Sequence, residues 1–228
     1  MKLKRFFPAV TIIGFALALE AAEPSQPSTN ATRVACIGDS ITFGVGVKDL
    51  KADAYPAQLA RMLGDRWEVK NYGVSGATMM NKGDRPYQQR AEYKAALASK
   101  PDVVVIALGT NDSKPQNFEK NPDDFLPSYR AMVNSFRETN PRIKVFVCLP
   151  VPAFPENGGI RDSVISGKII PEIQRLAQEE NLFVIDLHSA LDAKSEHFPD
   201  KVHPNKEGAR LIAKAVAAAV ANDLTKGN

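Results

Sequence analysis

Three short stretches of this chain hold side chains that could do chemistry together. The first, ACIGDSITFG at residues 35–44, ends an apolar, strand-like run on Gly38 and then presents Asp39, Ser40 and Thr42. Hydroxyls in such a place commonly cap a new helix by accepting hydrogen bonds from its orphan amides. A hydroxyl that attacks an electrophile needs more: a base, a group to orient the base, and donors for the developing oxyanion. Three histidines could be the base: His188, His197 and His203. His188 follows the strand-like LFVIDL and His197 sits in a polar loop, so both read as surface or packing residues. His203 stands in FPDKVHPN with Asp200 three positions before it. A turn of that length lets the carboxylate reach imidazole Nδ1 while Nε2 points outward.

The donors have candidates too. Gly76, in VSGAT, offers a backbone amide with no side chain to obstruct approach, and Asn111, in LGTND, carries an amide NH2. Taken singly, Gly76 could only make a turn and Asn111 could only cap a loop. The elements around them make the set more specific. Five β-rich runs, 33–38, 67–72, 102–108, 143–149 and 182–187, alternate with helix-like segments at 55–63, 89–98, 125–137, 169–179 and 207–220. The third and fourth runs, DVVVIAL and IKVFVCL, are almost continuously apolar, as burial on both faces of a parallel sheet requires. Strands alternating with helices imply right-handed crossovers and a three-layer α/β domain. In that architecture the loops after the strands gather at the carboxyl edge of the sheet, where ligands bind. Ser40 follows the first strand, Gly76 the second and Asn111 the third, with D-x-x-H ahead of the last helix.

In order and wording these blocks resemble the GDSL, or SGNH, hydrolase superfamily of esterases and lipases: GDSITFG, Gly76, GTND and DKVHPN, over about residues 33–221. The resemblance implies a flavodoxin-like α/β/α sandwich with a five-stranded parallel sheet in the order 2-1-3-4-5. It also implies that Ser40 is the nucleophile and that His203 is the base, oriented by Asp200. The oxyanion hole it implies is made by the Ser40 and Gly76 amides and the Asn111 side chain. The G-x-S-x-G elbow of the α/β-hydrolases is absent. Asp39, Thr42 and Asp112 are expected to brace the loops, and Asn71 to act as a brace or a substrate contact. Serine chemistry of this kind requires no metal and no cofactor, and no cluster of residues has metal-ligand spacing.

Composition limits the setting. The chain has 228 residues, 44% of them hydrophobic and 24% charged, enough for one sizeable core. Lys2, Lys4 and Arg5 precede an apolar run to Leu19 and the small residues Ala21 and Ala22, the pattern of a secretory signal peptide over residues 1–22. A flexible leader over 23–32 and one domain over 33–228 are expected to follow. Loss of residues 1–18 removes three positive charges and takes the net charge of +3 to zero. The mature chain therefore has no basic character to draw it to nucleic acid or an anionic membrane, and a periplasmic or secreted location is expected. Export permits disulfides, but Cys36 and Cys148 fall on the first and fourth strands, too far apart to bridge in the implied order.

The expected substrate is a small-molecule or polysaccharide ester, most simply an O-acetylated carbohydrate, since the sequence also resembles exported bacterial acetylesterases. Polar loop residues, among them Arg85, Tyr87, Gln88, Asn117 and Asn121, would bond sugar hydroxyls. Only Met79, Met80, Phe118 and Phe154 could line a groove for a long acyl chain. A lysophospholipase or thioesterase and a glycan-binding protein without turnover are the alternatives.

Overall fold

Apolar side chains on both faces of the inner strands require helices on both faces of the sheet. The computed structural model describes residues 31–154 and 159–225. Strands β1 (Thr32–Gly38), β2 (Trp67–Gly73), β3 (Val103–Ala107), β4 (Lys144–Leu149) and β5 (Phe183–Asp186) form one parallel sheet in the order β2-β1-β3-β4-β5. The α/β sandwich and strand order implied by the resemblance are those of the protein. The expected signal peptide and most of the expected leader lie outside the described residues, and Thr32 already belongs to β1.

The helices are α1 (Ser40–Phe43), α2 (Leu50–Asp53), α3 (Tyr55–Leu63), α4 (Ala91–Ala98), α5 (Phe125–Thr139), α6 (Asp162–Val164), α7 (Ile170–Glu180), α8 (Leu187–Leu191) and α9 (Lys206–Thr225). Successive side chains on a strand alternate faces, and the core divides accordingly. Ala35, Ile37, Val104, Ile106, Val145 and Val147 pack with Tyr93, Met132, Phe136 and Leu176 from α4, α5 and α7. Val34, Cys36, Val103, Val105, Phe146 and Cys148 pack with Leu59 of α3 and Ile212, Val216 and Val220 of α9. Each large side chain so buried contributes roughly 1.5–3 kcal/mol. Helix α9 spans 20 residues, yet among the described residues no helix is long and apolar enough to cross a membrane.

Both cysteines are buried free thiols, as expected, because β3 lies between their strands. Burial pushes the Cys36 thiol up to about 12 and raises that of Cys148 as well.

Hydrogen bonds bind the loops at the carboxyl edge into one rim. The buried Asp112 carboxylate accepts from the amides of Met79 (2.9 Å) and Met80 (2.8 Å), joining the loop after β3 to the loop after β2. Asn71 Nδ2 donates to the Thr42 carbonyl (2.8 Å), while Asn71 Oδ1 accepts from the Gly73 amide (2.9 Å), joining the end of β2 to α1. Two π-helical segments, Pro115–Glu119 and Ile165–Ile169, follow β3 and lead into α7.

Candidate active site

The end of β1 turns sharply into α1. A Cβ on Gly38 would lie 1.9 Å from Thr42 Oγ1 and 2.8 Å from the Ala107 carbonyl, so glycine is what lets the short helix fold back over the strand. Asp39 caps that helix, its Oδ1 accepting from the Ile41 amide at 2.9 Å. The next residue is Ser40, only 7% exposed.

Ser40 Oγ is 2.8 Å from His203 Nε2. His203 Nδ1 is 2.6 Å from Asp200 Oδ2, and Asp200 Oδ1 accepts from the backbone amides of His203 (2.7 Å) and Val202 (3.0 Å). Partial burial opposes ionisation of Asp200, but the His203 amide, the His203 ring and the Val202 amide outweigh it and hold the carboxyl below its ordinary value. One tight turn thus fixes the position and charge of the Asp200 carboxylate and leaves Nε2 facing the serine. Such a line can carry a proton from Oγ to Nε2, leaving an alkoxide-like nucleophile and an imidazolium beside a fixed anion.

Of the three expected oxyanion donors, Ser40 and Asn111 line one cleft. The Ser40 and Gly76 amides make no hydrogen bond among the described residues. Gly76 adopts φ +78, a conformation that L side chains rarely take. Asn111 Nδ2 donates to the Ala77 carbonyl at 3.1 Å and keeps its second N–H; its own carbonyl accepts from Asn117 Nδ2 at 2.8 Å. Ser40, Asn111, Asp200 and His203 line a cleft of about 170 Å³ together with Thr110, Lys114, Ile160 and Val202. The last four were not legible in the sequence. They lie on three separate loops, and no local spacing marks them.

Two carboxylates sit beneath the cleft. Burial pushes Asp39 up to about 6 against hydrogen bonding from Ile41 and the attraction of His203, and among the described residues its Oδ2 has no hydrogen-bond partner. Burial likewise raises Asp112 to about 7, with Asp39 adding to the effect. Asp112 ties the rim through the Met79 and Met80 amides, Asp39 caps α1, and both polar atoms of the Asn71 side chain are bonded.

Tyr87 and Asn117 require correction. Tyr87 is fully buried and donates its hydroxyl to the Tyr72 carbonyl at 2.6 Å. Asn117 is also buried, spending its side chain on Asp84 and Asn111. Neither can touch a sugar; both hold the rim from inside. Arg85 is exposed, its Cδ 3.3 Å from where a Cβ on Gly76 would lie. The other histidines lie outside the cleft. His188 Nε2 is 3.3 Å from Asp162 Oδ1, which also accepts from the Ala153 amide. His197 lies in the turn 195–197 ahead of α9.

A serine on the first turn after β1, bonded to the histidine of a D-x-x-H turn before the last helix, sits at the carboxyl edge of a flavodoxin-like sheet. The chain belongs to the GDSL-like lipase/acylhydrolase family, whose model matches residues 36–211. It is 43% identical over 212 residues to an acetylxylan esterase from Xylanibacter ruminicola, a match covering 85% of this chain and 44% of that one, so it spans less than half of that relative's length. A solved carbohydrate acetylesterase from Sinorhizobium meliloti superposes with a TM-score of 0.68 at 25% identity, covering 84% of this chain and 99% of that one. A solved acetyl xylan esterase gives 0.66 at 25% identity, over 82% and 99%.

Proposed function

We propose that this chain is an exported serine esterase that removes acetyl groups from carbohydrate hydroxyls. The observation that carries the reading is the unbroken line Asp200–His203–Ser40 opening into a small cleft. At about 170 Å³ the cleft is well below the roughly 300–1,000 Å³ of a usual small-molecule site. The residues able to line an acyl groove are occupied elsewhere. Met79 and Met80 are fully buried, Phe118 packs on Phe125 and Phe154 on Phe198. A long chain would forgo roughly 0.8 kcal/mol for each CH2 left in water. An acetyl group forgoes little, and the names of the relatives point to the same acyl group.

In this reading His203 Nε2 takes the Ser40 proton as Oγ bonds to the ester carbonyl carbon. The carbonyl oxygen becomes an oxyanion facing the Ser40 amide, the Gly76 amide and Asn111 Nδ2. Donors aimed at developing charge in a partly dry site typically contribute about 3–4 kcal/mol each. Collapse breaks the bond to the sugar oxygen, which leaves with the proton from His203. A water then gives a proton to the same nitrogen and attacks the acyl-enzyme, releasing acetate and restoring Ser40. Throughout, the Asp200 carboxylate keeps Nδ1 protonated and remains ionised itself.

The test is catalytic efficiency on 4-nitrophenyl esters from acetate to palmitate, with acetate release measured on acetylated polysaccharides. Efficiency should be highest at acetate, with acetate freed from the polymer. A rise with chain length to octanoate or beyond would replace the carbohydrate substrate with a lipid one. Export is checked by sequencing the amino terminus of protein recovered from the periplasm or medium, which should begin after residue 18, 21 or 22.

A further inference from the structure

Charge around the cleft is lopsided. Lys114 lines it beside Ser40, Asn111 and His203, and the stem of Arg85 runs past Gly76. Their loops are fastened together. Asp84 Oδ2 accepts from Gln116 Nε2 (2.9 Å) and Oδ1 from Asn117 Nδ2 (3.1 Å). The Asp84 amide donates to Asn117 Oδ1 (2.8 Å), and the Asn117 amide to the Lys114 carbonyl (3.0 Å). The two cations therefore stand on one clamped unit and flank two of the proposed oxyanion donors.

Among the described residues, the nearby carboxylates are committed to other groups. Asp84 serves the two amide side chains, Glu119 pairs with Arg161, Asp112 is buried on the Met79 and Met80 amides, and Asp200 holds His203. Among the described residues neither Arg85 nor Lys114 has an ion-pair partner. A neutral sugar entering here would strip water from two cations and give no charge in return. A carboxylate borne near the ester would meet the planar fork of Arg85 and the point charge of Lys114.

We infer that the acetylated glycan is acidic, with a uronate carboxylate held between Arg85 and Lys114 while the ester lies at Ser40. This rests on the carbohydrate reading above, and two experiments separate their failures. In the first, deacetylated oligosaccharides of equal length, one neutral and one bearing a single hexuronate, compete with hydrolysis of uncharged 4-nitrophenyl acetate. At low ionic strength the acidic competitor should bind about tenfold more tightly, a margin that about 0.5 M NaCl largely erases. Arg85→Gln and Lys114→Gln should each lower the acidic-to-neutral ratio by about threefold, the scale of one exposed ion pair. Equal inhibition by both sugars, inhibition by neither, or a ratio untouched by both substitutions would overturn the inference. In the second, acetate release is compared between acetylated neutral and acetylated uronate-bearing oligosaccharides. Equal release from both overturns charge selection alone; release from neither, with 4-nitrophenyl acetate still cleaved, overturns the carbohydrate reading itself.

Discussion

Two aspartates approach the proposed Ser40–His203 pair from different elements, and their surroundings treat them oppositely. Asp200, on the turn before α9, has a side chain 51% exposed and three hydrogen bonds from the His203–Val202 unit. Asp39, at the end of β1, is 1% exposed, with one oxygen on the Ile41 amide and the other without a hydrogen-bond partner among the described residues. Water plus three donors makes an anion at any ordinary pH. Near-complete burial outweighs the donors facing Asp39 and makes a carboxyl that titrates near neutrality, pushed up to about 6. At Asp39 burial outweighs the donors, and at Asp200 the donors outweigh burial, so two carboxyls near one imidazole shift in opposite directions.

Substitutions can break this comparison. Ser40→Ala should lower 4-nitrophenyl acetate hydrolysis by about five orders of magnitude, because the residues of such a relay act as a unit. Near-normal turnover in a folded variant would remove Ser40 from the mechanism. Asp200→Asn should cost about three to four orders, since an amide favours the wrong imidazole tautomer. Asp39→Asn keeps an oxygen for the Ile41 amide and should remain within about tenfold of wild type in kcat/KM. Equal losses in the two asparagine variants would erase the distinction.

Gly38→Ala tests the turn beneath both residues. A methyl 1.9 Å from Thr42 Oγ1 should destabilise the fold by about 2–4 kcal/mol, read as a lowered midpoint in urea. The smallest expected effect is a pH dependence with opposite signs at the two aspartates. Asp39 has a folded value of about 6 against an ordinary 3.8, so its contribution to stability is full below 3.8 and is lost as pH rises through 6. Against Asp39→Asn, the stability of wild type should therefore fall by about 2–3 kcal/mol between about pH 4 and pH 7. Asp200, depressed in the fold, contributes above its unfolded value and loses that contribution as pH falls through the folded one. Its gap to Asp200→Asn should shrink towards acid, as urea unfolding across the pH range would show.

What could be read in the sequence was what local pattern encodes. The runs at β3 and β4 carry their burial in almost unbroken apolar residues, and α3 spans Tyr55–Leu63 with the expected ends. The Asp200–His203 turn is legible because both groups lie within four residues. Tyr87 was misread because a tyrosine in a polar loop has the same surroundings in sequence whether it faces water or the core. Its direction is set by Tyr72, 15 residues away. The place of Lys114 depends on the Asp84–Asn117 clamp, and the unpartnered oxygen of Asp39 on burial by distant elements; neither leaves a periodic trace.

The two unbridged cysteines give the chain an independence from redox conditions. Refolding should proceed at the same rate in oxidising and reducing buffer, with no mispaired covalent dimers to resolve. Each thiol is fully buried on the face of the sheet that α3 and α9 cover, so an alkylating reagent reaches it only when that face opens. Incorporation of iodoacetamide under native conditions would then act as a clock for global opening, read by mass spectrometry and needing no added label.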